Sequence, residues 1–412
     1  MKTWRAWLGG GLTGMLVACG TTQPNVPDQP QGDTQVIVIG APSKQQQQVA
    51  EPEPEPVVTA PPTPTPNTVT DADLAELVAD PRKTRWEPRA NQLLITEIQN
   101  MEVLFASVPP NAPDRPQIMR RLAEDYYELA SRAARDKQSA QDRLAQGDQR
   151  AAREIEKSDR LIPAAQKKMI DYYEMLTQKH PNFCQSPNAT DPTKSVGCND
   201  DALYFMGLEY TRMGQAEKAR RTYLKLIQGF PYSPWIPSAY LAFGEFFLAE
   251  GQADPAKLDY AKQAYEKVVQ YPPPRNEVFG FAHYRLAQVH QLKQDYPSAL
   301  SHFMKASEFV VNNGLLRGSP VLGQTVRRSV IPVYAITGAP SKAEPFFKRF
   351  LTDPSSPSTN RQLMEMIDAL VRAYLRDGKR VEANDVCVSF SGGKAAIPAC
   401  GNVNWAAGQQ GP

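Results

Sequence analysis

The stretch ALYFMGLEYTRMGQAEKARRTY, residues 202–223, decides how this chain is read. Its counterpart at 282–303, AHYRLAQVHQLKQDYPSALSHF, carries residues of the same kinds at the same places, and a third copy lies between them. Ala202, Tyr204, Met206, Gly207 and Tyr210 correspond to Ala239, Leu241, Phe243, Gly244 and Phe247, and again to Ala282, Tyr284, Leu286, Ala287 and His290. Each first run is apolar at i, i+3/i+4, the signature of an amphipathic helix. A second run follows, carrying Ala219 and Tyr223, then Ala261 and Tyr265, then Ala299 and Phe303. Gly214 and Gly251 mark turns between runs, and Pro231 and Pro273 close the first two copies. The unit is helix–turn–helix with a period of roughly 34 residues plus linker.

The small residues have a mechanical part in this pattern. Gly207, Gly244 and Ala287 let paired helices approach, and Tyr223, Tyr265 and Phe303 fill the space left open. No unit of this size buries its apolar face alone, so units must stack. With three copies in register, the stretch resembles the tetratricopeptide (TPR) repeat family. That resemblance implies an all-α right-handed superhelix of helix pairs. In the family, positions 2, 5, 9, 12 and 13 of each first helix line a concave groove. Carried over, they are Asp201, Tyr204, Leu208, Thr211 and Arg212 in the first copy, Leu241, Glu245 and Leu248 in the second, and Tyr284, Gln288 and Gln291 in the third. Aromatic and aliphatic anchors with a few polar groups suit an extended peptide or a partner helix. The plainer alternative is that Tyr204 and Leu241 simply pack against neighbouring helices.

Outward from these repeats (200–311), degenerate copies occupy 312–390, with Tyr334, Gly338, Ala343, Phe347 and Phe350, then Leu370, Tyr374, Gly378 and Ala383. A loop around 312–324 separates them from the third copy, and a Gly-rich tail at 391–412 is a cap or a loose end. Upstream, residues 117–182 read as an enlarged repeat. Asp114 and Pro116 open it, and Tyr126, Tyr127, Tyr172, Tyr173 and Leu176 fall at core spacing. Its middle, 132–160, is charged on most faces and reads as long helices joined near Gly147. Before it, 71–116 holds a short helix capped by Thr70 and a longer one from about Glu87 to Ala106, stopped by Pro109-Pro110.

At 412 residues with net charge +2, the chain shows no basic excess that would suit nucleic acid. Of the five cysteines, Cys184 and Cys198 bracket a polar loop within 183–199, and Cys387 and Cys400 bracket another. In an exported protein two such local pairs read as disulfides, each closing a loop of about 15 residues worth ~3 kcal/mol in the chain-entropy model. Zinc is the competing reading, but neither spacing is C-x2-4-C and the histidines do not flank the cysteines.

The remaining cysteine suggests where the protein goes. Lys2 and Arg5 precede an apolar run from Ala6 to Leu16, too short for a stable membrane span, and 1–19 ends Leu16-Val17-Ala18-Cys19. This resembles the bacterial lipobox, in which the signal is cut before the cysteine and that cysteine is acylated. An ordinary signal peptide with an incidental cysteine is the alternative. Gly20 in place of Asp favours the outer membrane by the same resemblance. Residues 20–70, rich in Pro, Gln and Glu, form a disordered tether that reaches ~150 Å extended or ~40 Å as a coil. Within it Gln35-Val-Ile-Val-Ile-Gly40 is β-prone, either an unstructured patch or a strand that pairs with a partner's sheet edge.

No catalytic arrangement emerges. His180, His283, His290 and His302 lack metal-protease spacing, and no phosphate loop or nucleophile elbow is present. His290 takes a core aromatic position. Asn188-Ala189-Thr190 fits a glycosylation sequon, a weak signal. The expectation is a non-enzymatic chain with no cofactor, metal or small-molecule substrate, contacting protein partners and, through the lipid on Cys19, a membrane.

Lipobox, Pro-rich tether and repeats together resemble the TPR lipoproteins of Gram-negative outer-membrane machines. Leu93–Phe105, Ala112-Pro-Asp-Arg115 and Arg121-Leu-Ala-Glu-Asp-Tyr126 resemble those of myxobacterial adventurous gliding. The resemblance implies a scaffold that links periplasmic motor parts to the outer membrane. The runner-up is the β-barrel-assembly type of TPR lipoprotein, which is shorter and lacks the tether and the cysteine pairs. A regulator of a cell-wall enzyme is a third possibility.

Overall fold

The helix pairs expected from the repeats are present, each packed against the next. The computed structural model describes residues 70–84, 91–188, 190–191, 194–316, 318–351 and 356–403, all within one unit spanning Pro64–Pro412. Cys19, the tether and the β-prone run at 35–40 lie outside the described residues. The three clear repeats are α5 (Asn199–Arg212) with α6 (Ala216–Gly229), α7 (Ile236–Glu250) with α8 (Lys257–Val269), and α9 (Phe279–Leu292) with α10 (Tyr296–Asn312). Here the small-for-large exchange is visible. A Cβ added to Gly207 would stand 2.6 Å from the Tyr223 ring, and one on Gly244 would also strike the Tyr265 ring. Both tyrosines are almost wholly buried.

Before these come α1 (Asp71–Ala79), a 3-10 turn (Pro81–Thr84), α2 (Asn91–Ser107) and the long antiparallel pair α3 (Arg115–Ala145) and α4 (Ala151–Lys179). Pro116 sits in the first turn of α3, where its missing N–H costs nothing. Gly147, at φ +100°, turns the chain between the two long helices. Thr70 begins α1 as a capping box: the Asp73 N–H donates to Thr70 Oγ1 at 3.1 Å and the Thr70 N–H donates to Asp73 Oδ2 at 2.9 Å.

After α10 follow α11 (Ser319–Thr337), α12 (Ala343–Lys348), α13 (Pro357–Arg376) and α14 (Arg380–Ser389). The loop expected over 312–324 is therefore shorter. Pro320 lies in the first turn of α11, a position a helix tolerates, so it opens the helix instead of extending the loop. α12 has only six residues, which is how the fourth repeat degenerates. Ile397 and Ala399 are buried, and the Ala399 N–H donates to Asp368 on α13 at 2.7 Å, so this part of the tail caps the array.

The loop between Cys184 and Cys198 holds β1 (Cys184–Ser186) and β2 (Val196–Cys198), paired antiparallel with the two cysteines opposite each other. Both cysteine pairs, Cys184–Cys198 and Cys387–Cys400, are joined. Among the described residues, no helix is long and apolar enough to cross a membrane.

Candidate partner-binding groove

The first helices of the repeats present side chains to a common face, and α1 lies on that face. Tyr204 of α5 donates its hydroxyl to the carbonyl of Ala79 at 2.5 Å. Eighty positions further along, Tyr284 of α9 donates to Asp71 Oδ1 at 2.8 Å, and Gln288 donates to Asp71 Oδ2 at 2.6 Å. Arg285 adds a third contact to Asp71, at 3.3 Å. Between these two ends, Leu74 is completely buried and Val78 nearly so, both within the main core of the repeats. A nine-residue helix does not hold its shape alone in water. Its caps and these contacts hold it.

The C-terminal end of this segment is fixed more deeply. Asp80 is inaccessible to solvent and takes charged hydrogen bonds from Arg212 at 2.7 Å and from Arg82 at 3.0 and 3.1 Å, with the Tyr127 hydroxyl at 3.1 Å. Arg82 reaches across to Glu209 at 3.0 Å, and its guanidinium lies 3.4 Å from the centre of the Tyr127 ring and 4.1 Å from that of Phe205. Arg212 also contacts Glu209, closing a ring of two carboxylates and two guanidinium groups. Burial alone would push the Asp80 carboxyl up. The charges of Arg82 and Arg212 outweigh it and hold the group well below the usual carboxylate range. A buried charge survives only when paired this way.

Each residue expected to line the groove can now be placed. Tyr204, Arg212, Tyr284 and Gln288 bind the 71–80 segment of the same chain. The bodies of Tyr204, Leu208, Leu241 and Tyr284 are buried: Tyr204 stacks on Trp235 at 4.6 Å between centroids, so it packs against its neighbours and also offers its hydroxyl to the groove. Glu245 is taken up within the wall, accepting from Tyr265 at 2.7 Å and from Arg285 at 2.6 and 2.8 Å. Thr211 donates to Gly207 of its own helix. Leu248 and Gln291 are half-buried, and Asp201 accepts from the Trp235 indole at 2.5 Å and from Arg120 at 3.0 Å, away from α1's contacts.

Missed in the sequence reading were Asp71, Leu74, Val78, Asp80 and Arg82 on the occupant, and Glu209 and Arg285 on the wall. The Thr70-x-x-Asp73 box and the i, i+4 pair Leu74/Val78 announce the helix. Nothing local announces where it docks.

The histidines form a separate cluster between α9 and α10. His283 and His302 share a hydrogen bond between Nδ1 atoms at 2.9 Å, and His302 stacks on His290, whose Nδ1 faces Asp295 at 3.0 Å. Among the described residues, no three His, Cys, Asp or Glu side chains are placed to hold a metal ion.

No family model matches the chain, and no curated protein matches it. A solved structure similar to it is the C-terminal part of a TPR repeat-containing protein from Cytophaga hutchinsonii, with 17% identity and a TM-score of 0.39, covering 75% of this chain and 98% of that one. At that score the fold reading rests on the repeats themselves. They define an all-α helical-repeat protein built of TPR-like units.

Proposed function

We propose that this chain is a non-enzymatic scaffold that binds protein partners through the face lined by the first helices of its repeats. The observation that carries this reading is the seat of α1: side chains at groove positions of two different repeats, Tyr204 and Tyr284, each hold a helix by its backbone or its end. A surface that accommodates one helix has the depth, the polar anchors and the apolar floor that helix-in-groove recognition uses.

In this reading Cys19 carries lipid in the outer membrane, residues 20–70 act as the tether, and the folded part stands in the periplasm. The partners belong to an envelope-spanning machine of the gliding-motility kind. The lipobox residues, the Pro-rich composition and the motif likenesses at 93–126 support these finer points.

The test is in-cell crosslinking of the full chain beside a Leu248→Ala/Gln291→Ala variant, with partners identified by mass spectrometry. These positions are only half-buried, so the core survives, unlike a truncation of Tyr204. Loss of motility proteins from the variant supports the reading, and barrel-assembly proteins in their place would move it to the runner-up. Partners unchanged by the substitutions would remove the groove from the account. A Cys19→Ala variant that still partitions with outer membranes would remove the lipid anchor.

A further inference from the structure

α1 does more than occupy the groove: it specifies what else fits there. Four of its features meet complementary groups on the repeats. The carboxylate of Asp71, at the N-terminal end, meets Tyr284, Gln288 and Arg285. Leu74 and Val78, one turn apart on the same face, enter the core. Asp80, just past the helix, meets Arg212 and Tyr127. A carboxylate at the helix N-terminus is favoured by the helix itself, and the two acidic ends meet an arginine each. The pattern is acid, aliphatic at +3, aliphatic at +7, acid at +9.

We infer that residues 71–80 are a ligand held in cis, and that the groove's partner is a helix of another protein presenting this same acid–aliphatic–aliphatic–acid pattern, which takes α1's place. This rests on the scaffold reading above. The charge arrangement selects against other occupants. A basic helix would bring like charge against Arg212 and Arg285, and an apolar one would leave each with only its wall carboxylate, Glu209 or Glu245, whereas an acidic one restores the contacts that Asp80 and Asp71 make. The two ends of the cis segment also differ in their hold. Asp71 is 42% exposed, whereas Asp80 and Arg82 are sealed against Tyr127 and Glu209. Exchange therefore begins at Asp71, by peeling α1 away from α9. A tethered ligand competes at a high effective concentration, so the full chain binds its partner weakly until α1 is loosened.

The probe is a fluorescein-labelled peptide of residues 70–82, titrated into the full chain and followed by anisotropy. Against an Asp71→Ala/Leu74→Ala chain, whose own α1 is weakened, the peptide should bind at least about tenfold tighter than against the unaltered chain. Adding Gln288→Ala to that chain should reverse the gain, and a peptide with Leu74→Asp should not bind. Circular dichroism checks that each variant is folded. If the double variant does not fold, the unaltered chain is used instead. Excess peptide, heavy-isotope labelled so that its fragments are distinguishable, should then accelerate amide exchange in the chain's own 73–79. Equal binding to the unaltered and loosened chains, insensitive to Gln288→Ala, would overturn the inference. So would binding to neither, or a shift to dimers that exchange α1 between copies. If the peptide fails while crosslinked partners are still lost from the groove variant, the ligand pattern falls and the scaffold stands. If crosslinked partners are unaffected as well, both fall.

Discussion

Tyr284 donates its hydroxyl to Asp71 at 2.8 Å although 213 positions separate them in the chain. The tyrosine is a wall residue whose ring is buried in the third repeat, and the aspartate begins a helix that precedes all the repeats. Their meeting means that the groove holds a helix in this structure, and that the wall's polar groups are engaged by the protein's own segment.

Removing the hydroxyl alone tests that contact without touching the packing. Tyr284→Phe keeps the ring and leaves Asp71 with Gln288 and Arg285, so the loss should be that of one hydrogen bond to a charged group, about 1.5–3 kcal/mol, and of the neutral one that Gln288 donates to the hydroxyl, about 0.5–1.5 kcal/mol. Asp71 is partly exposed, which places the result at or below the lower end. Urea unfolding of the two proteins gives the difference. A loss of several kcal/mol would mean that the hydroxyl has a role beyond α1.

The ring of Asp80, Arg82, Glu209 and Arg212 should behave quite differently. Arg82→Ala strips a buried carboxylate pair of one guanidinium and empties the space between Tyr127 and Phe205. Breaking a buried pair from one side costs about 3–5 kcal/mol. Arg82→Ala should therefore destabilise far more than Tyr284→Phe in the same urea assay, and an Asp80→Asn/Arg82→Met chain should recover part of the loss. A cost for Arg82→Ala no larger than for an exposed arginine such as Arg160 would contradict the buried network.

Acid should weaken the fold in two overlapping steps. Burial, with the neighbouring imidazole as the next cause, holds His283 down near about 3 and His302 near about 4, against about 6.5 for an ordinary histidine. The unfolded chain takes up these protons as pH falls through 6.5, and the folded chain does so only at about 4 for His302 and about 3 for His283. Their contribution should be level above 6.5 and should fall from there to about 3. Asp80, depressed in the folded state, supports the fold above the unfolded value near ~3.9 and loses that contribution only as pH falls further. Urea midpoints measured from pH 8 to 4 should flatten in a His283→Gln/His302→Gln chain. An unchanged slope would mean that neither histidine is held neutral.

The glycine rule is testable by adding one methyl group. Gly207→Ala places a carbon 2.6 Å from the fully buried Tyr223 ring, and overpacking of this kind costs about 1–3 kcal/mol. The third repeat already holds Ala287 at that place, opposite Phe303 and not a tyrosine, so Ala287→Gly should leave a small gap and destabilise less. Thermal unfolding of both proteins decides it.

How much of this was readable beforehand follows from what each contact depends on. The repeats were legible because each helix pair is encoded within about 34 residues by periodicity and by small-for-large exchange. Even the short helix after Thr70 was legible from the capping hydroxyl of that residue. Of the positions that the TPR resemblance points to, Tyr204, Arg212, Tyr284 and Gln288 contact the 71–80 segment. What faces them was not legible, since the contacts of Asp71, Ala79 and Asp80 with the repeats reach 125 to 217 positions along the chain and no local pattern records such a span. Glu245 shows the limit from the other side. Its place in the repeat puts it on the wall, but Arg285 in the next repeat claims it, and a pair between repeats is invisible to a rule that treats one repeat at a time. The loop expected over 312–324 came out too long because the start of α11 at Ser319 carries Pro320 in its first turn, and a proline at a helix start and one in a loop look alike in sequence.

The occupancy of the groove is the claim on which the rest depends, and amide hydrogen exchange over residues 71–79 of the full chain tests it most directly. A nine-residue helix has no stability of its own, so any protection there reports docking. The account expects these amides to be protected in the unaltered chain and to exchange freely in the Asp71→Ala/Leu74→Ala chain, with α5 and α9 unchanged. Exchange at the rate of an unstructured peptide in the unaltered chain would contradict it, and would mean that the groove stands open.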